Sequence, residues 1–111
     1  MEKPKSESII IMKDLKSNIN FNYLYRDADN FKQFGSVIFS NPNNLSVVEI
    51  DNILRSRLID EEYFNHVKFG VPSLFFKNRS VDDHNWHEYE NVEMTVKNPT
   101  DKRTIEEFLK Q

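Results

Sequence analysis

The chain has no cysteine, and its 111 residues include only two glycines and four prolines. The absence of cysteine excludes a disulfide framework, a thiolate metal site and a cysteine nucleophile, and it fits a reducing compartment. The two glycines, Gly35 and Gly70, are too few and too far apart to form a glycine-rich phosphate loop, and no G-x-S-x-G elbow occurs. P-loop nucleotide hydrolysis is therefore excluded.

Long apolar runs are also missing. The only apolar run near the start is Ile9 to Met12, which is too short for a signal-peptide core or a membrane span. We therefore expect neither secretion nor membrane insertion, and we predict a cytoplasmic protein.

The chain has no broad positive field. Its net charge is −3, and the acidity is concentrated in the segment Asp82 to Glu93, which has five carboxylates and no lysine or arginine. Because the rest of the chain is nearly neutral, nonspecific binding to nucleic acid lacks its usual electrostatic driving force.

The composition that remains is globular, with 38% hydrophobic and 13% aromatic residues. A chain of this length suits one hydrophobic core. We predict a flexible or loosely docked N-terminal extension over residues 1–19 and a single α+β domain over residues 20–111.

Alternation of apolar and polar residues, together with β-prone runs, predicts the strands. The strands or partial strands predicted in this way are Phe21–Tyr25, Ser36–Phe39, Tyr63–Phe69, Leu74–Phe76 and Trp86–Val96. We expect them to form a mainly antiparallel sheet of four or five strands, and the pattern leaves their order open.

Two helices are predicted from capping-box spacing, in which a hydroxyl and a carboxylate satisfy the first free backbone donors of a helix. Ser46 and Glu49 begin the main helix, at about 46–58, and Thr104 and Glu107 begin a short C-terminal helix, at about 104–110. The main helix should pack on one face of the sheet, and the short one should close an edge. The apolar face predicted for the main helix consists of Val47, Ile50, Ile53, Leu54 and Leu58.

The segment Asp82 to Glu88 concentrates residue types that bind metals, transfer protons or stack on ligands. Its spacing matches neither the H-E-x-x-H nor the H-x-x-E-H zinc-protease pattern. One interpretation is a divalent-metal site. The other is a turn at Asp82 and Asp83, with Trp86 filling the core and the histidines making ordinary hydrogen bonds in a solvated loop. The candidate metal ligands are Asp83, His84, His87 and Glu88.

The segment Arg26 to Lys32 begins like a calcium-binding loop but lacks the glycine and glutamate that an EF-hand requires. It is better explained as a turn held by Asx hydrogen bonds, with Arg26 paired to a carboxylate. The next run, Lys32 to Phe39, matches an RNA-recognition signature at five of seven defined positions. Ser36 replaces a stacking aromatic, however, and no predicted helix precedes the run, so we expect no RNA binding.

Three groups of residues give the chain a family resemblance. They are Tyr25-Arg26-Asp27-Ala28 with Asn30 and Lys32, Gly70-Val71-Pro72 with Leu74, and Asp82-Asp83-His84 with Trp86-His87-Glu88. In these segments the chain resembles a group of small uncharacterised bacterial proteins, over roughly residues 21–107. The resemblance implies a stand-alone bacterial domain and carries no catalytic residue with it.

We predict a non-enzymatic protein-binding or regulatory module that uses the acidic segment 82–93 against a basic surface of another protein. A homodimer stays open, and no cofactor is expected beyond the metal of the alternative. The alternative is a divalent-metal-binding protein or metal-dependent enzyme centred on the four candidate ligands above. The candidate partner contacts are Arg26, Asp27, Lys32, Trp86 and Glu90.

Overall fold

The computed structural model describes residues 17–110. Seven helices and strands follow one another in this part of the chain. The strands are β1 (Asn18–Arg26), β2 (Lys32–Phe39), β3 (Tyr63–Phe64) and β4 (His87–Thr95), and the helices are α1 (Val47–Arg57), α2 (His66–Phe69) and α3 (Ile105–Leu109).

The four strands form one sheet in the order β2-β1-β4-β3, and every neighbouring pair is antiparallel. The pairing of β1 with β2 is regular along its whole length, whereas the pairing of β1 with β4 shifts register between Asn22 and Tyr23. A shift of this kind is a β-bulge, which adds a residue to one strand. The predicted α+β domain with a mainly antiparallel sheet is confirmed.

One face of the sheet forms the core. Alternate residues of β1 point the same way, so Ile19, Phe21, Tyr23 and Tyr25 are all buried on that face. Phe21 packs against aromatic rings of β3, β4 and α3, with centroid distances of 5.0–5.7 Å. Each fully buried aromatic side chain contributes roughly 1.5–3 kcal/mol, so this face holds the sheet and helices together.

The other face of the sheet, which we call the open face, carries many polar side chains together with Leu24, Phe34 and Ile38. It carries a hydrogen-bonded ladder in which the Ser36 hydroxyl donates to Asn22, and Asn22 donates in turn to Asn91 and Glu93. Asn20 also donates to Glu93, at 3.1 Å. Helices therefore cover one face, and the ladder of polar side chains lies on the other.

Helix α1 begins as the sequence predicts. The hydroxyl of Ser46 accepts from the backbone N–H of Glu49, and the Glu49 carboxylate accepts from the backbone N–H of Ser46. Ile50, Leu54 and Leu58 are buried, but Ile53 is 40% exposed and does not belong to the packed face. The same reciprocal cap joins Thr104 and Glu107 and begins α3, so both capping-box predictions are confirmed.

The predicted strand Leu74–Phe76 is wrong, because these residues lie in the loop between α2 and β4. The run Tyr63–Phe69 also differs from its partial alternation, since only Tyr63 and Phe64 form a strand and His66–Phe69 form a helical turn. This turn ends at Gly70, whose φ of 67° is the left-handed conformation that glycine adopts without strain.

The N-terminal boundary differs slightly from the prediction. Asn18 and Ile19, which we assigned to the extension, begin β1, and Ile19 is fully buried. The apolar run Ile9 to Met12 lies outside the described residues. No helix within residues 17–110 is long and apolar enough to cross a membrane.

Candidate functional site

The three segments of the family resemblance meet at one end of the sheet, where β1 ends and β4 begins. The turn between β1 and β2 is built by Asp27, whose carboxylate accepts from the N–H groups of Asp29 and Phe31 at 3.0 and 2.8 Å. Asn30 adopts a φ of 69°, which asparagine tolerates well. The turn predicted from Asx hydrogen bonds is therefore confirmed.

Arg26 and Glu88 form a bidentate ion pair beside this turn. The Arg26 Nε donates to Glu88 Oε2 at 2.8 Å, and Nη2 donates to Oε1 at 3.1 Å. The predicted pairing of Arg26 with a carboxylate is confirmed, and Glu88 is its partner. Because Glu88 is nearly buried, its negative charge is compensated inside the fold and is not displayed to a partner.

Asp83 joins two loops that are far apart in sequence. Its carboxylate accepts from the backbone N–H of Ala28 at 2.9 Å and from that of Ser80 at 2.8 Å. These two N–H groups hold the pKa of Asp83 below its ordinary value. We call the resulting pair of turns, residues 27–30 and 80–83, the acidic tip.

The acidic tip carries four aspartates. Asp27 and Asp83 accept hydrogen bonds from the backbone, as described above, while Asp29 and Asp82 are exposed. The predicted turn at Asp82 and Asp83 is present, because the N–H of Asp83 donates to the carbonyl of Ser80.

His87 is completely buried and holds the loop between α2 and β4. Its Nε2 accepts from the backbone N–H of Leu74 at 2.9 Å, so Nδ1 carries the proton and faces the carbonyl of Asn85 at 3.4 Å. The rings of Tyr25 and Phe75 lie 5.2 and 5.1 Å from the imidazole. Burial lowers the pKa of His87 to about 4, so the ring is neutral near pH 7.

His84 has a different environment. It is exposed, and its Nδ1 accepts from the backbone N–H of Trp86 at 3.0 Å. Its carbonyl oxygen accepts from the Tyr25 hydroxyl at 2.6 Å and from Arg79 at 3.1 Å. The two histidines therefore serve separate parts of the loop.

The four candidate metal ligands are not brought together as a site. Glu88 is paired with Arg26, Asp83 binds backbone N–H groups, and each histidine uses a ring nitrogen to accept from a backbone N–H. Across residues 17–110, no three histidine, cysteine, aspartate or glutamate side chains are arranged so that they could hold a metal ion.

One interpretation of the sequence required Trp86 to fill the core, and the structure shows that it does not. Its side chain is 44% exposed, and with Tyr63 and His84 it lines an open depression of ≈ 250 Å³. The core position belongs to His87, the next residue along the chain. Trp86 is therefore placed where it could contact a partner.

The remaining candidate contacts lie further apart. Glu90 is exposed and is the extra residue of the bulge in β4, and Lys32 is exposed at the start of β2. Glu93, at the end of the acidic segment, belongs to the ladder of the open face. The five carboxylates of segment 82–93 thus do not form one continuous patch.

Sequence reasoning missed Arg79. Its guanidinium lies 3.8 Å from the centre of the Phe75 ring and also donates to Asn85. Arg79 therefore links two distant parts of the loop between α2 and β4. The available signal was that Arg79 is the only lysine or arginine between residues 78 and 93. A lone cation beside an acidic run suggests an internal partner, but it does not say which one.

Comparisons with models of protein families, with curated proteins and with solved structures found no match to this chain.

Proposed function

We propose that this chain is a non-enzymatic protein-binding module, and that it engages a basic surface of its partner through the acidic tip. The hydrogen bond from the Ala28 N–H to Asp83 carries this proposal. It joins the turn 27–30 to the acidic segment and so places aspartates from both at one end of the sheet.

The charges that reach solvent define the surface. Asp29 and Asp82 are exposed on the two turns, and Glu90 is exposed on β4, whereas the charge of Glu88 is compensated by Arg26. A cluster of exposed negative charges attracts a basic partner, and it raises the rate of association more than it raises the affinity. The proposal therefore rests on the tip and no longer on the whole of segment 82–93.

The neighbouring side chains favour binding over catalysis. The nitrogen of His87 that could act as a base already accepts from Leu74, and that of His84 accepts from Trp86. Trp86 is half exposed and close along the chain to Asp82. Tryptophan is one of the residue types that contribute most energy at protein interfaces, so Trp86, in the depression that it lines with Tyr63 and His84, is the apolar contact we assign.

The test is affinity purification of the tagged chain from its native host, comparing the wild type with the double variant Asp29→Asn, Asp82→Asn. Neither side chain donates or accepts a hydrogen bond that holds a turn, so the fold should be unchanged. The matched control is Asp60→Asn with Glu61→Gln, which removes the same charge at an exposed turn after α1.

We expect a stoichiometric, basic partner that is retained by the wild type and by the control and is weakened in the tip variant. Its retention should fall as salt rises from about 0.1 M to about 0.5 M, because salt screens exposed charges. A partner retained equally by all three proteins, or one with an acidic surface, would contradict the proposal.

A further inference from the structure

An aromatic depression lies at the end of the sheet where β4 begins. Tyr63, His84 and Trp86 line its volume of ≈ 250 Å³. Tyr63 is paired with Glu88 across β3 and β4, which holds its side chain on the open face of the sheet. The N–H of Trp86 donates to His84 Nδ1 at 3.0 Å, so this bond fixes the other two rings relative to each other. The aromatic walls are therefore set by the fold itself.

The rings of this depression are accessible from solvent. Trp86 is 44% exposed and His84 is exposed, while Tyr63 is partly buried at the edge of the sheet. The face of an aromatic ring is electrically negative because of its quadrupole, and it attracts a cation placed over it. Sites built from several such faces hold ammonium groups. Among residues 17–110, the lining of this depression includes no lysine or arginine that would fill it.

Two carboxylates lie beside the depression. The pKa of the Tyr63 hydroxyl is raised first by the charge of Glu62, then by burial and by the charge of Glu88, while the cation of Arg26 opposes the shift. Arg26 is already held by Glu88 in their bidentate pair, and Arg79 lies over an aromatic ring of the loop. Glu62 is exposed and adds negative charge at the mouth of the depression.

Two further cations lie against a different surface. Tyr63 and Trp86 also border a second depression, of ≈ 180 Å³, whose lining includes Arg57 and Lys68. Neither cation lines the depression at His84. The two depressions thus differ in charge, and the one at His84 is the one that suits a cation.

We propose that the depression at Tyr63, His84 and Trp86 receives a lysine or arginine side chain of the basic partner. This inference rests on the proposed function, because the partner supplies the cation. The methylene stem of the incoming side chain packs against the Trp86 indole, and its charged end lies over the rings near Glu62. The acidic tip attracts the basic surface, and the depression selects one residue of that surface.

Choline and 3,3-dimethylbutan-1-ol provide the first test, because they share a shape and differ in charge. Trp86 is the only tryptophan of the chain, so its fluorescence reports contact at the depression. With the intact chain at constant ionic strength, we expect a saturable change with choline, and binding roughly 2- to 30-fold tighter than that of the alcohol. Equal or tighter binding of the alcohol would overturn the proposal, because the depression would then be merely apolar.

Variants at Tyr63 and Glu62 keep Trp86 as the reporter. Tyr63→Leu should weaken choline binding because it removes a ring, and Tyr63→Phe should retain most of the binding because it keeps one. Glu62→Gln should weaken choline binding more than its matched control Glu61→Gln, since it is the charge of Glu62 that acts on Tyr63. Choline binding that is equal in Tyr63→Leu and Tyr63→Phe would refute the aromatic site. Should Tyr63→Leu fail to fold, as judged by circular dichroism, the glutamate pair still decides.

Trp86→Leu extends the test to the protein partner. In affinity purification from the native host, we expect Trp86→Leu to weaken retention of the basic partner and Trp86→Phe, which keeps a ring, to weaken it less. A partner retained equally by Trp86→Leu and the wild type would overturn the proposal. Choline binding by the wild type would in that case assign the depression to a free organic cation.

The tip variant Asp29→Asn, Asp82→Asn separates this inference from the proposed function. It keeps all three rings, so it should bind choline as tightly as the wild type even where it loses the partner. A wild type that binds no choline would overturn the inference about the depression and leave the acidic tip to be judged by its own variant. A partner that is insensitive to the tip variant but lost by Trp86→Leu would refute the tip and support the depression.

Discussion

Lowering the pH should destabilise this protein through one side chain, His87. The ring is fully buried, and the N–H of Leu74 donates to its Nε2, so the folded state accommodates only the neutral form. The nearby His66 ring, at 4.9 Å, and the cation of Arg79 also oppose a positive charge there. Protonation would remove the acceptor that anchors the loop between α2 and β4.

The magnitude follows from the difference between two pKa values. Burial lowers the pKa of His87 to about 4 in the folded state, against about 6.5 in the unfolded chain. The stabilising contribution of the neutral ring is complete above pH 6.5 and is lost as the pH falls towards 4. At about 1.4 kcal/mol per unit, the free energy of unfolding should fall by up to about 3 kcal/mol across this window.

Urea unfolding between pH 8 and pH 4, followed by far-UV circular dichroism, measures this loss. His87→Gln keeps an oxygen able to accept from Leu74 but does not titrate, so its free energy of unfolding should change less with pH than that of the wild type. His84→Gln, at an exposed ring, is the matched control. If the difference between wild type and His87→Gln is constant from pH 8 to pH 4, the reasoning about the buried neutral imidazole is wrong.

Three further predictions concern the ion pair, the end of α2 and metal ions. Arg26→Met should lower the free energy of urea unfolding because it leaves the nearly buried Glu88 without a partner, and Glu88→Gln in the same chain should recover part of that loss; additive costs would contradict the pairing. Gly70→Ala should cost roughly 1 kcal/mol because of the positive φ and the Arg103 guanidinium 3.1 Å from the added Cβ, whereas Gly70→Asn should cost less. Zinc or magnesium ions should leave the melting temperature unchanged, since the four candidate ligands have other partners; a rise that a chelator reverses would restore the metal hypothesis.

The structural features that depend only on residues close together in the sequence were predicted correctly. The caps at Ser46 and Thr104 depend on residues three apart, and the turn at Asp27 depends on its own neighbours, so the sequence was sufficient for each. The alternation of aromatic residues in β1 located a strand for the same reason.

Leu74–Phe76 shows where local patterns fail. The run is β-prone, but its backbone groups are used by side chains, since Leu74 donates to His87 and its carbonyl accepts from Gln33. A strand needs a neighbouring strand to pair with, and the choice of partner depends on residues more than ten positions away. Trp86 and His87 illustrate the same point, because the position of β4 in the sheet decided which of them entered the core.

The acidic segment Asp82 to Glu93 was the clearest functional signal in the sequence, and the chain by itself determined its composition and its local turn. Only the tertiary structure decided which of its charges reach a partner. Arg26, 62 residues away, compensates Glu88, while Ala28, 55 residues away, binds Asp83 and adds the aspartates of its own turn. Charge is a property of residues, but its exposure depends on long-range contacts that spacing along the chain does not encode.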